Sequence, residues 1–219
     1  MTRLYIDSAA PAEWRAATEA ALVCRATCNP LLMQAAGWPV TLNTAAELVH
    51  QAEAVGLVEL HLQAWPSAPG DWLTVALQLA GLSPRVVVKL PALPDALRAA
   101  QVLKRRGTRV LITAVSNPLH GLWATEVGAD FVAPYVGRLS EAGRDAHALI
   151  DTLVALQNRQ GPVVLAASVR DLDTLGCLVR QGVGAVTLRK ALLDEALADP
   201  ATLSAVAQFE AVRVGTSAG

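Results

Sequence analysis

The sequence predicts a single (β/α)8 barrel, an α/β fold, with an extra C-terminal helix. Three observations lead there. Short β-like runs alternate with longer helix-like segments along the chain, as a parallel sheet wrapped in helices requires. Gly56, Gly81, Gly107, Gly128, Gly161 and Gly182 stand in the gaps before β runs, where helices end. The 219 residues match a small barrel of eight such units, and no low-complexity linker divides them. A doubly wound sheet is the structural rival. Neither G-x-G-x-x-G nor G-x-x-x-x-G-K-[ST] follows a β run, which weakens a nucleotide-binding version of it.

The units read in order as follows. The run 3–7 precedes helical residues 11–22, and the run 23–29 precedes helix 42–54, closed by Gly56. The run 58–63 precedes a helix near 72–80, closed by Gly81. The run 85–90, which contains Val86-Val87-Val88, precedes helix 95–106, closed by Gly107. The run 109–114 precedes a helix near 119–127, and 130–135 precedes 146–159. The run 163–168 precedes 171–181, and 185–188 precedes helical residues to about 198. Residues 1–199 thus form the barrel, and 200–219 a last helix (200–212) and a frayed tail from Gly215. In that helix Leu203, Val206, Phe209 and Val212 share a face at spacing three. The face needs a cover, either its own barrel or a neighbouring subunit.

Composition narrows the function classes. Hydrophobic residues make up 53% and charged residues 17%, so the chain buries enough surface to offset its ordering entropy and global disorder is excluded. Eighteen basic against nineteen acidic residues give a formal charge of −1, which argues against nucleic acid or an anionic membrane as partner. The longest stretch without Asp, Glu, Lys or Arg, 26–46, contains Asn29, Pro30, Gln34, Gly37, Pro39 and Asn43 and is a poor bilayer span. An acid at position 7 and no long apolar run at the N-terminus argue against a signal peptide. Cys24, Cys28 and Cys177 form no C-x-x-C pair, so a disulfide framework or zinc site is disfavoured; a cytoplasmic location and no metal or other cofactor are expected.

In a barrel of this kind the chemistry belongs at the C-terminal ends of the strands. Those positions read Asp7, Asn29, His61 or Gln63, Lys89, Thr113, Tyr135 and Ser168. Any one of them alone reads as an ordinary turn or cap residue; seven converging on one mouth point to a site. Lys89 is the sharpest of them. Only three of the eighteen basic residues are lysines (Lys89, Lys104 and Lys190), so a lysine in an apolar run invites the question of what only an amine can do. Residues 87 and 89 share a strand face, so if Val87 points into the barrel, Lys89 does too. A buried lysine sheds its proton more readily, and a neutral amine can form a Schiff base with a carbonyl compound. The alternative is a side chain that snorkels to solvent. Lys104, in the last turn of a helix, reads as a solvated charge complementing the helix dipole. Lys190 reads as a surface residue with a weaker claim to anion binding at the mouth.

Six segments in register resemble one family: Leu4-Tyr5-Ile6-Asp7, Ala26-Thr27-Cys28-Asn29-Pro30, Val88-Lys89-Leu90-Pro91, Thr113-Ala114-Val115, Ala133-Pro134-Tyr135-Val136-Gly137-Arg138 and Ala166-Ala167-Ser168-Val169-Arg170. They are similar to the transaldolase family, in particular the small-subunit branch that includes fructose-6-phosphate aldolase. The tail around Phe209 is similar too. The resemblance implies that Lys89 is the Schiff-base residue and that Asp7 and Asn29, with Thr27 nearby, contact hydroxyls of a dihydroxyacetone unit. It implies that Thr113 holds a catalytic water, and that Ser168, Arg138 and Arg170 bind a sugar phosphate, for which planar guanidinium forks are suited. No cofactor is implied, and assembly into pentamers or pairs of pentamers is.

The departures matter equally. Cys28 stands where the family has Thr. The third strand usually ends in Glu or Gln; here His61 holds that place, as a proton relay or as a packed histidine with Gln63 taking the water. Arg189-Lys190 replaces a Pro-containing turn. Tyr135, in place of the Phe more frequent in transaldolases, adds a hydroxyl able to join acid–base steps and tilts the reading toward an aldolase that cleaves fructose 6-phosphate. Transfer of the three-carbon unit between sugar phosphates is the alternative, and a barrel that binds a phosphorylated ligand without turning it over is a second.

Overall fold

The computed structural model describes residues 1–215. Its elements run β1 (Arg3–Asp7), α1 (Pro11–Glu19), β2 (Arg25–Thr27), α2 (Pro30–Ala35), α3 (Leu42–Ala54), β3 (Glu59–Gln63), α4 (Leu73–Ala80) and β4 (Val86–Pro91). Then come α5 (Pro94–Arg105), β5 (Val110–Val115), α6 (Pro118–Glu126), β6 (Phe131–Pro134), α7 (Val136–Glu141), α8 (Ala146–Gln157) and β7 (Val163–Ala166). The chain closes with α9 (Leu172–Gln181), β8 (Ala185–Leu188), α10 (Lys190–Leu197) and α11 (Pro200–Gly215). The eight strands form a closed parallel barrel in chain order, β8 pairing back to β1, which is the (β/α)8 fold the sequence predicts. No helix among the described residues is long and apolar enough to cross a membrane.

The structure departs from the sequence reading in several places, each with a local cause. The second strand stops at Thr27 because Asn29 caps a short helix that the reading omits: Pro30 begins α2, and Asn29 Oδ1 accepts from the Leu32 amide at 3.1 Å. The sixth strand stops at Pro134, and Val136 starts a second unforeseen helix, α7. The first helix ends at Glu19, just before Ala21 takes a left-handed φ of 54°. Gly215 belongs to α11, and the remainder of the expected tail, 216–219, lies outside the described residues. Lys104 is not a free solvated charge. Its Nζ donates to Asp130 Oδ2 at 2.6 Å, and the same oxygen accepts from the Val110 amide at 2.7 Å, so the lysine ties α5 to the starts of β5 and β6.

Strand alternation sets two packing layers. Odd-numbered strand residues face the barrel axis, where Tyr5, Val87, Leu111, Phe131, Ala133, Leu165 and Ala185 form a cluster. Even-numbered ones, such as Ile6, Leu60, Val88, Ile112, Val132 and Val186, pack outward against the helices. Both faces are buried, which is why the strands read as apolar runs. The interior row also carries charge. Glu59 and His61, 6% and 0% exposed, lie on β3 within this row. Glu59 Oε1 accepts from Tyr5 Oη at 2.6 Å and lies 2.7 Å from His61 Nε2, while Arg109 reaches its other oxygen. The His61 ring stands edge-on between Tyr5 and Phe131, at 5.1 and 4.8 Å between centroids.

An ionised carboxylate only accepts, so Glu59 assigns the ring proton to His61 Nε2 and leaves Nδ1 a buried acceptor without a partner. Burial raises the Glu59 carboxyl. The His61 and Tyr5 hydrogen bonds and the Arg109 charge outweigh that and hold it at about 2. Burial holds His61 down, to about 4, against the opposing pull of Glu59. Burial, then the hydrogen bond to Glu59, raises the Tyr5 phenol. Glu59 and His61 bind fewer protons folded than unfolded, whereas Tyr5 keeps its proton longer, so the contribution of all three is full between the ordinary histidine value of 6.5 and the ordinary tyrosine value of 10.0. It falls with His61 protonation toward about pH 4 and with Glu59 protonation from about 4.5 toward 2. Denaturant unfolding checks this. Glu59→Gln is expected to cost ~3 kcal/mol at pH 7, because the buried Tyr5 and His61 and the half-buried Arg109 lose their anion. His61→Phe is expected to flatten the loss of stability between pH 6.5 and 4 relative to the parent chain.

Candidate active site

The mouth of the barrel is built from strand ends and from the turns that follow them. Lys89 lies near the end of β4, 5% exposed, and its Nζ donates to the Cys28 carbonyl at 3.1 Å. Its side chain therefore points into the barrel, as the shared face with Val87 predicts. One cavity is lined by Lys89 with Asp7, Asn29 and Tyr135, and by Ser168, Arg138 and Arg170; Leu111, Ala133 and Leu165 give it apolar surface. Seven residues singled out from sequence thus share one cavity.

Two more stand directly behind it. Thr27 donates to Asp7 Oδ1 at 2.8 Å. Having spent its only proton there, it accepts from Thr187 at 2.7 Å. Thr113, 1% exposed, is hydrogen-bonded to the Tyr135 hydroxyl at 2.8 Å. Asn29 uses Oδ1 as the cap of α2, which leaves its amide nitrogen for the cavity. The two third-strand candidates separate. Gln63 is the register partner of Lys89 on the adjacent strand and is half-buried. Neither Gln63 nor His61 lines the cavity, and His61 is engaged with Glu59.

Backbone geometry explains two motifs. Ala114 and Ser168 take left-handed φ values of 55° and 60°, conformations costly for a residue with a Cβ. Ala114 sits where the β5–β6 register shifts, and Ser168 turns the chain after β7 into the cavity wall. Gly137 donates its amide to the Ser168 carbonyl at 2.9 Å, and a Cβ there would lie 2.4 Å from that oxygen and 2.8 Å from Arg170 Nε. Only glycine lets the turn into α7 lie against the segment that carries Ser168 and Arg170. Arg138 lies over the Tyr135 ring, 5.2 Å from its centroid, and Arg170 bonds Glu141 at 2.8 Å. The Cys28 departure leaves the cavity wall untouched: its thiol is buried away from the cavity and pushed up to about 12, chiefly by burial, and only its carbonyl serves Lys89.

Thr187 and Arg189 also line the cavity. The odd-numbered row of β8 that begins at Ala185 is the signal that points to them. Arg189 Nε lies 3.5 Å from Asp7 Oδ2, while Lys190 pairs with Asp194 along α10 and takes no part in the mouth. Among the described residues no group of three His, Cys, Asp or Glu side chains could hold a metal ion. An enclosed primary amine beside a carboxylate, an amide, a phenol and guanidiniums suits condensation with the carbonyl of an anionic molecule.

Comparison with known proteins identifies the family. The family model described as "Transaldolase/Fructose-6-phosphate aldolase" matches residues 4–217. The chain is 30% identical over 213 residues to a probable transaldolase of Dehalococcoides mccartyi, covering 95% of this chain and 96% of that one. It is 27% identical over 209 residues to a probable transaldolase of Pelotomaculum thermopropionicum, covering 94% and 95%. A probable transaldolase of Moorella thermoacetica is 26% identical over 209 residues, with the same coverage. With the match spanning nearly all of its length and the barrel mouth assembled as described, the chain belongs to the transaldolase/fructose-6-phosphate aldolase family.

Proposed function

We propose that the protein is a cofactor-free class I aldolase that cleaves, or in reverse forms, the C3–C4 bond of fructose 6-phosphate or a related ketose phosphate. The observation that carries this reading is the buried Lys89 amine, facing one cavity with Asp7, Asn29, Tyr135, Arg138 and Arg170. Family membership supports an enzyme of the aldolase/transaldolase type.

In this reading the neutral Lys89 amine attacks the C2 carbonyl. The carbinolamine loses water to give an iminium, which takes up the electron pair of the C3–C4 bond as the C4 hydroxyl gives up its proton. The aldehyde leaves and a dihydroxyacetone enamine remains on Lys89. A proton is then returned to C3, and water hydrolyses the iminium. Tyr135, fixed by Thr113 and lining the cavity, is assigned to these transfers through a water. Of the two third-strand candidates the geometry favours Gln63 beside that water, since it pairs with Lys89 across the strands. His61, engaged by Glu59, is assigned to support from below. Asp7, with Thr27 behind it, and Asn29 receive the donor hydroxyls. Arg138, Arg170 and Ser168 receive the phosphate. Transfer of the enamine to an aldose phosphate is the second reading, favoured by the names of the relatives.

The exposed face of α11, with Leu203, Val206, Phe209 and Val212 between 44% and 72% exposed, supports packing against neighbouring subunits in a homo-oligomer, a pentamer or a pair of them.

Borohydride added with dihydroxyacetone is expected to leave a mass increment on Lys89, and Lys89→Ala to abolish both labelling and turnover. A chain that binds phosphate esters and is never labelled would instead be a binding module. Release of glyceraldehyde 3-phosphate from fructose 6-phosphate alone marks the aldolase; release only after addition of erythrose 4-phosphate marks the transferase. Light scattering is expected to give a multiple of the subunit mass, reduced in Phe209→Asp; a monomer would refute the assembly.

A further inference from the structure

Thr187 stands near the end of β8, the strand that closes the barrel against β1. It is 3% exposed and lines the cavity that holds Lys89. Its hydroxyl meets that of Thr27 at 2.7 Å. The two threonines come from β8 and β2, the strands on either side of β1, so their bond spans β1 on the inner side of the barrel. It passes between Tyr5, the register partner of Thr187, and Asp7, the register partner of Thr27.

Counting protons fixes the direction of this chain. A hydroxyl has one proton to give. Thr27 gives its own to Asp7 Oδ1 at 2.8 Å, so Thr187 gives its own to Thr27. Thr187 then has no proton left, and its oxygen offers the cavity lone pairs alone. Among the described residues no other group hydrogen-bonds to it. Asp7, in the same cavity wall, also only accepts while ionised. A wall of this kind suits a molecule that brings hydroxyl protons. A ketone without them leaves buried acceptors unpaired, which is how a polar site rejects an analogue that lacks a hydroxyl.

We propose that Thr187 binds the three-carbon unit on Lys89, its oxygen accepting a hydrogen bond from a hydroxyl of that unit, so that it selects hydroxylated ketones over plain ones. This rests on, and deepens, the reading of Lys89 as the Schiff-base residue. Thr27 takes part indirectly: by passing its proton to Asp7 it makes Thr187 an acceptor toward the cavity.

The test is the rate of borohydride labelling of Lys89 in the full chain, at low ketone concentration, by dihydroxyacetone and by acetone, which has the same carbonyl and no hydroxyl. Thr187→Val keeps the shape of the side chain and removes its oxygen. It is expected to slow labelling by dihydroxyacetone about tenfold, the worth of one buried hydrogen bond, and to leave labelling by acetone within about twofold. Thr187→Ser, which restores the oxygen, is expected to recover most of the lost rate. Thermal melting of each variant verifies folding, and Thr187→Ala takes the place of Thr187→Val if the latter does not fold. Equal slowing with both ketones, or unchanged rates with both, overturns the contact. Failure of either ketone to label the parent chain overturns the Schiff-base reading itself, which separates the two failures.

Discussion

A single amine inside the barrel organises the rest of the mouth. The Lys89 Nζ is held by the Cys28 carbonyl, at the point where the chain leaves β2 and turns into α2. That bond needs the carbonyl to face inward, and the Asn29 cap and Pro30 fix the turn that aims it. Leu111, Ala133 and Leu165 supply apolar surface to the same cavity. A backbone carbonyl is an acceptor without charge. It fixes where the nitrogen stands in the mouth.

Beneath that amine lies a second polar layer with a different task. Glu59 gathers Tyr5, His61 and Arg109 in the barrel interior, and the donors around one carboxylate are what make its burial tolerable. His61 fills space between two aromatic rings as much as it bonds. Its uncharged form suits both uses, because burial disfavours the imidazolium. Polar residues in the interior row therefore divide by height: those at the mouth face the cavity, and those beneath stabilise the closed ring.

Mouth geometry is also kept by backbone that few residues tolerate. Ser168 turns in the left-handed region, and its carbonyl accepts from Gly137, so the ends of β6 and β7 are fastened to each other. The Tyr135–Ala167 bridge continues that pairing beyond the named strands. Arg138 and Arg170 are thereby presented from one joined surface, whereas Arg189 and Asp7 come from the other pair of strand ends, β8 and β1. The cavity has two charged sides because the barrel closes between its last strand and its first.

Alternation and glycine punctuation in the sequence determined the eight units, their order and the face that Lys89 shares with Val87, because a parallel strand buried on both sides writes its burial into consecutive residues. The motifs around Asp7, Lys89, Tyr135 and Ser168 determined which residues meet at the mouth. The short helices α2 and α7 were hidden, since six-residue helices carry too little periodicity to separate from a strand end. Heights along the axis were hidden as well. Residues two apart on one strand share a face, and only the stagger between neighbouring strands sets Gln63 level with Lys89 and His61 against Glu59. Tertiary closure alone brought Arg189 to Asp7, because two residues at opposite ends of the barrel sequence become neighbours only when the sheet meets itself.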